Sequence, residues 1–158
     1  MKSFEKYQES LISAIKSIQV ADHIIYVTYP LLKEKQLLLK ALDSIYDSLT
    51  SLINSVLEYD YLLKRISLYK DTKENFKTFI NKCSKHLNLS AQDLNEIQQL
   101  LALVESHKKS PMEFLRKDKV VIMSNSLKTS TLDLEKAKNY LLLVKRLIER
   151  AKGYMNIA

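Results

Sequence analysis

Leu38, Leu42, Ile45, Leu49, Leu52, Val56, Tyr59, Leu63 and Ile66 follow one another in strictly alternating steps of four and three residues. That spacing stacks side chains on one face of an α-helix. Leu39, Tyr46, Ile53 and Leu57 lie beside them and widen the stripe beyond a simple coiled-coil seam. The pattern predicts a helix over about 31–68, on the order of 55 Å long at 1.5 Å per residue. A rod of that length exceeds a small domain. It must bend near Glu58-Tyr59-Asp60-Tyr61, pack its far half on later helices, or pair its stripe with a second copy of the chain as a homodimer.

Glycine occurs once and proline twice in 158 residues. Folds that need many tight turns, or a glycine-rich loop around a phosphate, are thereby excluded. A first helix is expected over about 3–28 from Phe4, Tyr7, Leu11, Ile15, Ile18, Ala21 and Ile25. It should end at Tyr29-Pro30, because the residue before a proline is pushed out of the α region. Pro30 suits the first turn of the next helix, which makes the first two an antiparallel hairpin. Asp71 or Thr72 caps a third helix carrying Phe76, Phe79, Ile80, Cys83 and Leu87. Ser90 and Asp93 have the spacing of a capping box ahead of Leu94, Ile97, Leu101 and Val104. Asp133 caps a last helix whose stripe is Leu134, Ala137, Leu141, Val144, Ile148 and Ala151, with Gly153 placed for the left-handed residue past its end.

Between the fourth helix and the last, after Ser110-Pro111, the helical period disappears. Phe114-Leu115-Arg116 leads to a turn at Lys117-Asp118, then to the β-branched run Lys119–Met123, the polar cluster Ser124-Asn125-Ser126 and Leu127–Thr131. This is a hairpin signal over about 114–131. The hairpin must dock on the bundle through Val121 and Met123 or through the alternate set, Val120 and Ile122. The expected fold class is therefore all-α: a single domain over 1–158, an antiparallel four- to five-helix bundle with a small β-hairpin inserted before the last helix.

The formal net charge of +7 is unevenly placed. Residues 1–105 carry thirteen basic and thirteen acidic side chains, whereas residues 106–158 carry twelve basic and five acidic ones. The whole excess begins where the hairpin region begins, which points to an anionic partner, a nucleic acid such as RNA or an acidic protein. The candidate binding residues are Lys108, Lys109, Arg116, Lys117, Lys119, Lys128, Lys145 and Arg146. Lys138, Lys145 and Lys152 recur every seven residues on the last helix. Few aromatics interleave these cations, so base stacking is not expected from the sequence. The alternative is a solvated, lysine-rich surface with no partner.

Seats for catalysis are scarce. Cys83 and His86 lie three apart on a helix, but two ligands are too few for a structural zinc site, and no metal or other cofactor is expected. Asp22 and His23 are adjacent, and adjacent helical residues point in different directions, so they form no dyad. No catalytic residue is assigned, and a binding or adaptor role is expected in place of an enzyme. The single cysteine excludes an intramolecular disulfide, the N-terminus does not read as a signal peptide, and no window approaches the ~20 apolar residues of a membrane span. The expectation is a cytoplasmic chain with no membrane partner.

Two segments, Ala21-Asp-His-Ile-Ile-Tyr-Val-Thr-Tyr-Pro30 with Leu31–Leu39, and Lys109-Ser-Pro-Met-Glu-Phe-Leu-Arg-Lys-Asp-Lys-Val-Val-Ile122, resemble a group of small archaeal helical proteins over most of their length. That resemblance implies a lineage and carries no activity. The up-and-down helical layout also resembles HEPN bundles, whose nuclease members use an arginine followed after four to six residues by a histidine on a late helix. No histidine follows Arg65, Arg116, Arg146 or Arg150 at that spacing. The resemblance therefore implies a degenerate, nuclease-related bundle at most.

Overall fold

A computed structural model describes residues 5–157 and is mostly helical. Phe4, the first residue of the expected helix 1 stripe, lies outside the described residues. Helix α1 (Lys6–His23) runs without a break through one π-helical turn (Ile24–Thr28) into the short α2 (Tyr29–Leu32), and α3 (Lys35–Leu62) follows. Helix α4 (Thr72–Thr78) continues through a π turn (Phe79–Cys83) and a 3₁₀ turn (Ser84–Leu87) before α5 (Ala91–Lys109). Strands β1 (Met112–Arg116), β2 (Lys119–Met123) and β3 (Thr129–Leu132) precede α6 (Leu134–Met155).

The α3 stripe is consumed inside the chain. Leu38, Leu42, Ile45, Leu49, Leu52 and Val56 are buried in one core with residues of α1, α5 and α6, so this stripe is not free to pair with a second copy. Helix α1 lies antiparallel to α3, because Ser48 Oγ donates to the Ala14 carbonyl at 2.7 Å and Ser55 Oγ to the Tyr7 carbonyl at 2.6 Å. Helix α6 runs alongside with Lys145 bonded to Asp22 of α1 and Tyr154 to Asp60 of α3. Helix α5 crosses back, since Arg146 and Arg150 reach Asp93 at its start while His107 near its end lies 3.6 Å from Asp43 of α3.

Helix ends differ from expectation in physically instructive ways. Helix α1 does not stop at Tyr29-Pro30. In a regular α-helix the Pro30 ring would meet the Tyr26 carbonyl. The π turn opens the ladder just ahead of it, with the Tyr29 N–H donating to the Ile24 carbonyl five residues back. The helix ends instead at Lys33, which is left-handed (φ 50°) and donates to the Tyr29 carbonyl at 2.8 Å. Helix α3 ends at Leu62, short of the expected 68, because Lys64 turns left-handed (φ 59°) and the Arg65 N–H closes back on the Asp60 carbonyl at 2.9 Å. That six-to-one bond is a Schellman closure. The same closure uses Asn88 after the 3₁₀ turn and Asn156 after α6. Gly153, expected in that role, lies within α6. The caps stand where expected: Asp71 accepts from Lys73 N, Ser90 and Asp93 cap reciprocally, and Asp133 accepts from Lys136 N.

The β-structure is larger than a hairpin. Its three strands form one antiparallel sheet in the order β1-β2-β3. Strand β1 contains no β-branched residue and so carries little intrinsic strand signal. It forms because Lys117 (φ 50°) and Asp118 (φ 64°) make a two-residue turn with both φ positive, the type that returns a strand onto its neighbour. Glu113 then pins β1 to the bundle: its carboxylate lies 2.6 Å from His107 Nδ1, and its carbonyl accepts from Lys35 Nζ at 2.8 Å. Of the two docking faces open to the hairpin, Val120 and Ile122 point inward with Leu132, all buried in the core.

Gly153 is the one position where the helix interior is unfilled without reason: a Cβ there would meet nothing within 4 Å. Gly153→Ala should raise stability by about 0.5–1 kcal/mol by reducing the freedom of the unfolded chain. An upward shift of the urea midpoint at constant m-value checks it.

Candidate nucleic-acid interface

Strand register decides what the outer face of the sheet presents. Phe114 pairs with Val121 and Val121 with Thr131, Met112 with Met123 and Met123 with Thr129, and Arg116 with Lys119. Side chains alternate between faces along a strand, so all of these residues share the face turned away from the core. Phe114, Arg116, Lys117, Lys119, Val121, Met123, Thr129 and Thr131 line an open cavity of about 500 Å³ there. Val121 is buried but does not belong to the core cluster, and neither do the half-buried Phe114 and Met123. The sheet thus carries a second, small apolar surface that faces solvent and is bordered by cations.

The cations of the last third fall into two groups. Among the described residues, the side chains of Arg116, Lys117, Lys119 and Lys128 have no hydrogen-bond or ion-pair partner in the chain, and the first three line the cavity. Lys128 belongs to the β2–β3 turn, at the opposite end of the strands from the Lys117-Asp118 turn. The other four candidate residues are engaged elsewhere. Lys109 pairs with Glu105 at 2.7 Å, and Lys108 Nζ lies 4.2 Å from the centre of the Tyr46 ring. Lys145 bonds Asp22, and Arg146 Nη2 donates to Asp93 at 3.1 Å. The remaining α6 cations follow suit: Lys136 donates to the Thr131 carbonyl, Lys138 sits over Tyr26, Arg150 reaches Asp93 and Lys152 pairs with Glu149. Each cation of α6 thus also has a partner within the chain.

Sequence reasoning placed the cations and missed the apolar floor. Phe114 and Ile122 lie on opposite faces, since Glu113 and not Phe114 stands opposite Ile122. The detectable signal was the two-residue alternation of Lys119, Val121 and Met123 against Val120 and Ile122. It became decisive only once β1 was recognised as a strand.

At the far end of the bundle a second polar cluster surrounds Asp60, which is fully buried. Its carboxylate accepts from the Tyr154 hydroxyl, lies 3.2 Å from His86 Nδ1 and 3.8 Å from Arg65, and faces the Cys83 thiol. His86 stacks on Tyr154 with ring centres 4.9 Å apart. Burial, and then the hydrogen bond to Asp60, pushes both the Cys83 thiol and the Tyr154 phenol upward. Cys83 is held protonated, the opposite of an activated nucleophile. Cys83 and His86 thus share the Asp60 carboxylate; among the described residues no group of three or more His, Cys, Asp or Glu side chains is arranged to hold a metal ion. Asp22 is bonded to Lys145 of α6, and His23 is exposed. No helix among the described residues is long and apolar enough to cross a membrane.

No protein-family model, curated protein or solved structure is significantly similar to the chain.

Two predictions concern the ion pairs that hold α6 in place. Burial alone would raise the Asp93 carboxyl, but the Ser90 N–H and the Arg146 and Arg150 guanidinium groups outweigh it and lower the carboxyl from 3.8 to about 2. A carboxyl depressed on folding contributes stability above its unfolded value and loses it as pH falls toward its folded value. Between about pH 4 and pH 2 the protein should lose on the order of 2 kcal/mol through this group alone. Asp93→Asn should flatten that limb in denaturation curves recorded across the range. Asp60→Ala should cost roughly 1–3 kcal/mol by stranding the Tyr154 hydroxyl and its neighbours, and thermal unfolding measures the loss.

Proposed function

We propose that the protein is a binding protein that holds RNA through the outer face of its three-stranded sheet. The observation that carries this reading is the division of the cations. Those on α5 and α6 are engaged by carboxylates, carbonyls and tyrosine rings, whereas Arg116, Lys117 and Lys119 remain unpaired at the edge of an open cavity. Cations held on a rigid frame and not neutralised from within attract phosphates and release their counterions. The three-stranded sheet, anchored on its inner face by Val120, Ile122 and Leu132, is such a frame.

Arg116→Glu combined with Lys119→Glu should lower affinity for a mixed-sequence RNA roughly tenfold or more at about 50 mM salt, with an unchanged melting temperature. The slope of log K against log salt should become shallower, by about 0.7–0.9 for each phosphate that is no longer neutralised. Lys109→Glu, at an exposed and already paired position, should leave binding unchanged. Fluorescence anisotropy across a salt series measures all three. Absence of RNA binding by the unaltered protein at low salt sinks the reading, as does binding indifferent to the double reversal. Retention of an acidic protein with no retention of RNA would assign the face to that other partner.

A further inference from the structure

We propose that the cavity on the outer sheet face receives one unstacked base of a single-stranded nucleic acid, with the Phe114 ring as its stacking platform. Arg116 and Lys119 grip the adjoining phosphate. This rests on the RNA-binding reading and specifies which state of the polymer the face selects.

Three cross-strand rows make up the face. Phe114, Val121 and Thr131 form the middle row, and Arg116 with Lys119 forms the row beside it toward the Lys117-Asp118 turn. Alternate residues on one face of a strand stand about 7 Å apart. That is comparable with the reach from a base to its own phosphate, so a base on the Phe114 row brings a phosphate over the cation row. A cavity of about 500 Å³ falls within the roughly 300–1,000 Å³ of small-ligand sites. Its apolar residues are Phe114, Val121 and Met123, and among the described residues the Thr129 and Thr131 hydroxyls have no side-chain partner, which leaves them free for base edges.

The apolar floor decides between kinds of nucleic acid. A surface that recognised phosphates alone would need the cations and nothing else, and would take duplex and single strand alike. In a duplex every base face is covered by its neighbours, so an aromatic platform has nothing to stack on. Phe114, Val121 and Met123 lie outside the main core cluster, and water still reaches Phe114 and Met123 on this face. A half-buried ring bordered by arginine and lysine is the combination that holds single strands.

The test compares three labelled ligands of equal length by fluorescence anisotropy: a single-stranded uridine oligomer, an RNA duplex, and an abasic oligomer that keeps the phosphates. A deoxythymidine oligomer serves as a fourth arm to separate RNA from DNA. The unaltered protein should prefer the single strand to the duplex and to the abasic chain. Phe114→Ala should weaken single-strand binding roughly 5- to 150-fold, the range for loss of one stacked base, and leave duplex and abasic binding unchanged. The chain contains no tryptophan, so Phe114→Trp introduces a single indole at the platform, excited selectively at wavelengths where tyrosine does not absorb. Its emission should be quenched by the single strand and unaffected by the abasic chain. Equal loss of all ligands in Phe114→Ala, or an indole that does not respond to the single strand, overturns the base pocket. If Arg116→Glu with Lys119→Glu still abolishes binding, the RNA reading survives that result. If the unaltered protein binds none of the ligands, the RNA reading falls first and the base pocket with it.

Discussion

Two buried hydroxyls determine how closely the two longest elements of the N-terminal half approach. Ser48 and Ser55 are fully buried on α3 and donate to main-chain carbonyls of α1. A larger side chain at either place would hold the helices apart, and an alanine would leave no donor between them. With α1 seated, the remaining face of α3 is covered by α5 and α6, and the α3 stripe is enclosed on all sides by its own chain. The other features depend on that slab. The sheet closes the end where α3 begins, through Lys35 and His107, and the Asp60 cluster closes the end where α3 finishes. Residues 35 and 60 are separated by roughly 35 Å of helix at 1.5 Å per residue.

The charge asymmetry of the sequence takes on a different meaning within this frame. Helix α6 is strongly basic, yet it is packed against carboxylates from two other helices, Asp22 of α1 and Asp93 of α5. Lys145, Arg146 and Arg150 tie α6 to those two helices. The first 105 residues are neutral overall, and they supply Asp22 and Asp93, the acids that α6 meets. In the β1–β2 turn Asp118 follows Lys117 directly, and it borders a different cavity with Tyr29, Lys33, Asp133 and Glu135. Burial, and then Asp118 and Asp133, raise the Tyr29 phenol.

How much of this could be read from sequence depended on whether the signal was local. The stripe of α3, the Asp71, Ser90 and Asp133 caps and the end of α5 at Ser110-Pro111 are set by residues within one or two turns, and they stand as expected. Pro30 misled because the rule that ends helices before proline assumes a regular ladder, and a π turn removes the conflict. Gly153 misled because asparagine also tolerates the left-handed region, and Asn156 stood three residues further on. Strand β1 was invisible for a deeper reason. Met112–Arg116 has no strand propensity of its own and is held by the turn at Lys117-Asp118 and by Glu113, whose partners lie on α3 and α5. The candidate site suffered the same loss, since Phe114 joins Val121 and Thr131 only through that strand. The Asp60 cluster draws on residues 60, 65, 83, 86 and 154, and no spacing rule links positions so far apart.

The separation of the two apolar surfaces of the sheet bears on how such a face can exist at all. Val120, Ile122 and Leu132 tie the strands to the core, and their burial supplies the stability of the sheet. Phe114, Val121 and Met123 add little to it, since water still reaches Phe114 and Met123. Substitution on the outer face therefore leaves the fold standing, and the outer face is free to be shaped by whatever it holds. An exposed three-stranded sheet with open edges would ordinarily invite pairing with other strands. Here each strand is only four or five residues long, and Arg116, Lys117, Lys119 and Lys128 stand at both ends of the outer face. Like charges at both ends of the face repel a second copy of the sheet, so the charge guards the edges that short strands leave open.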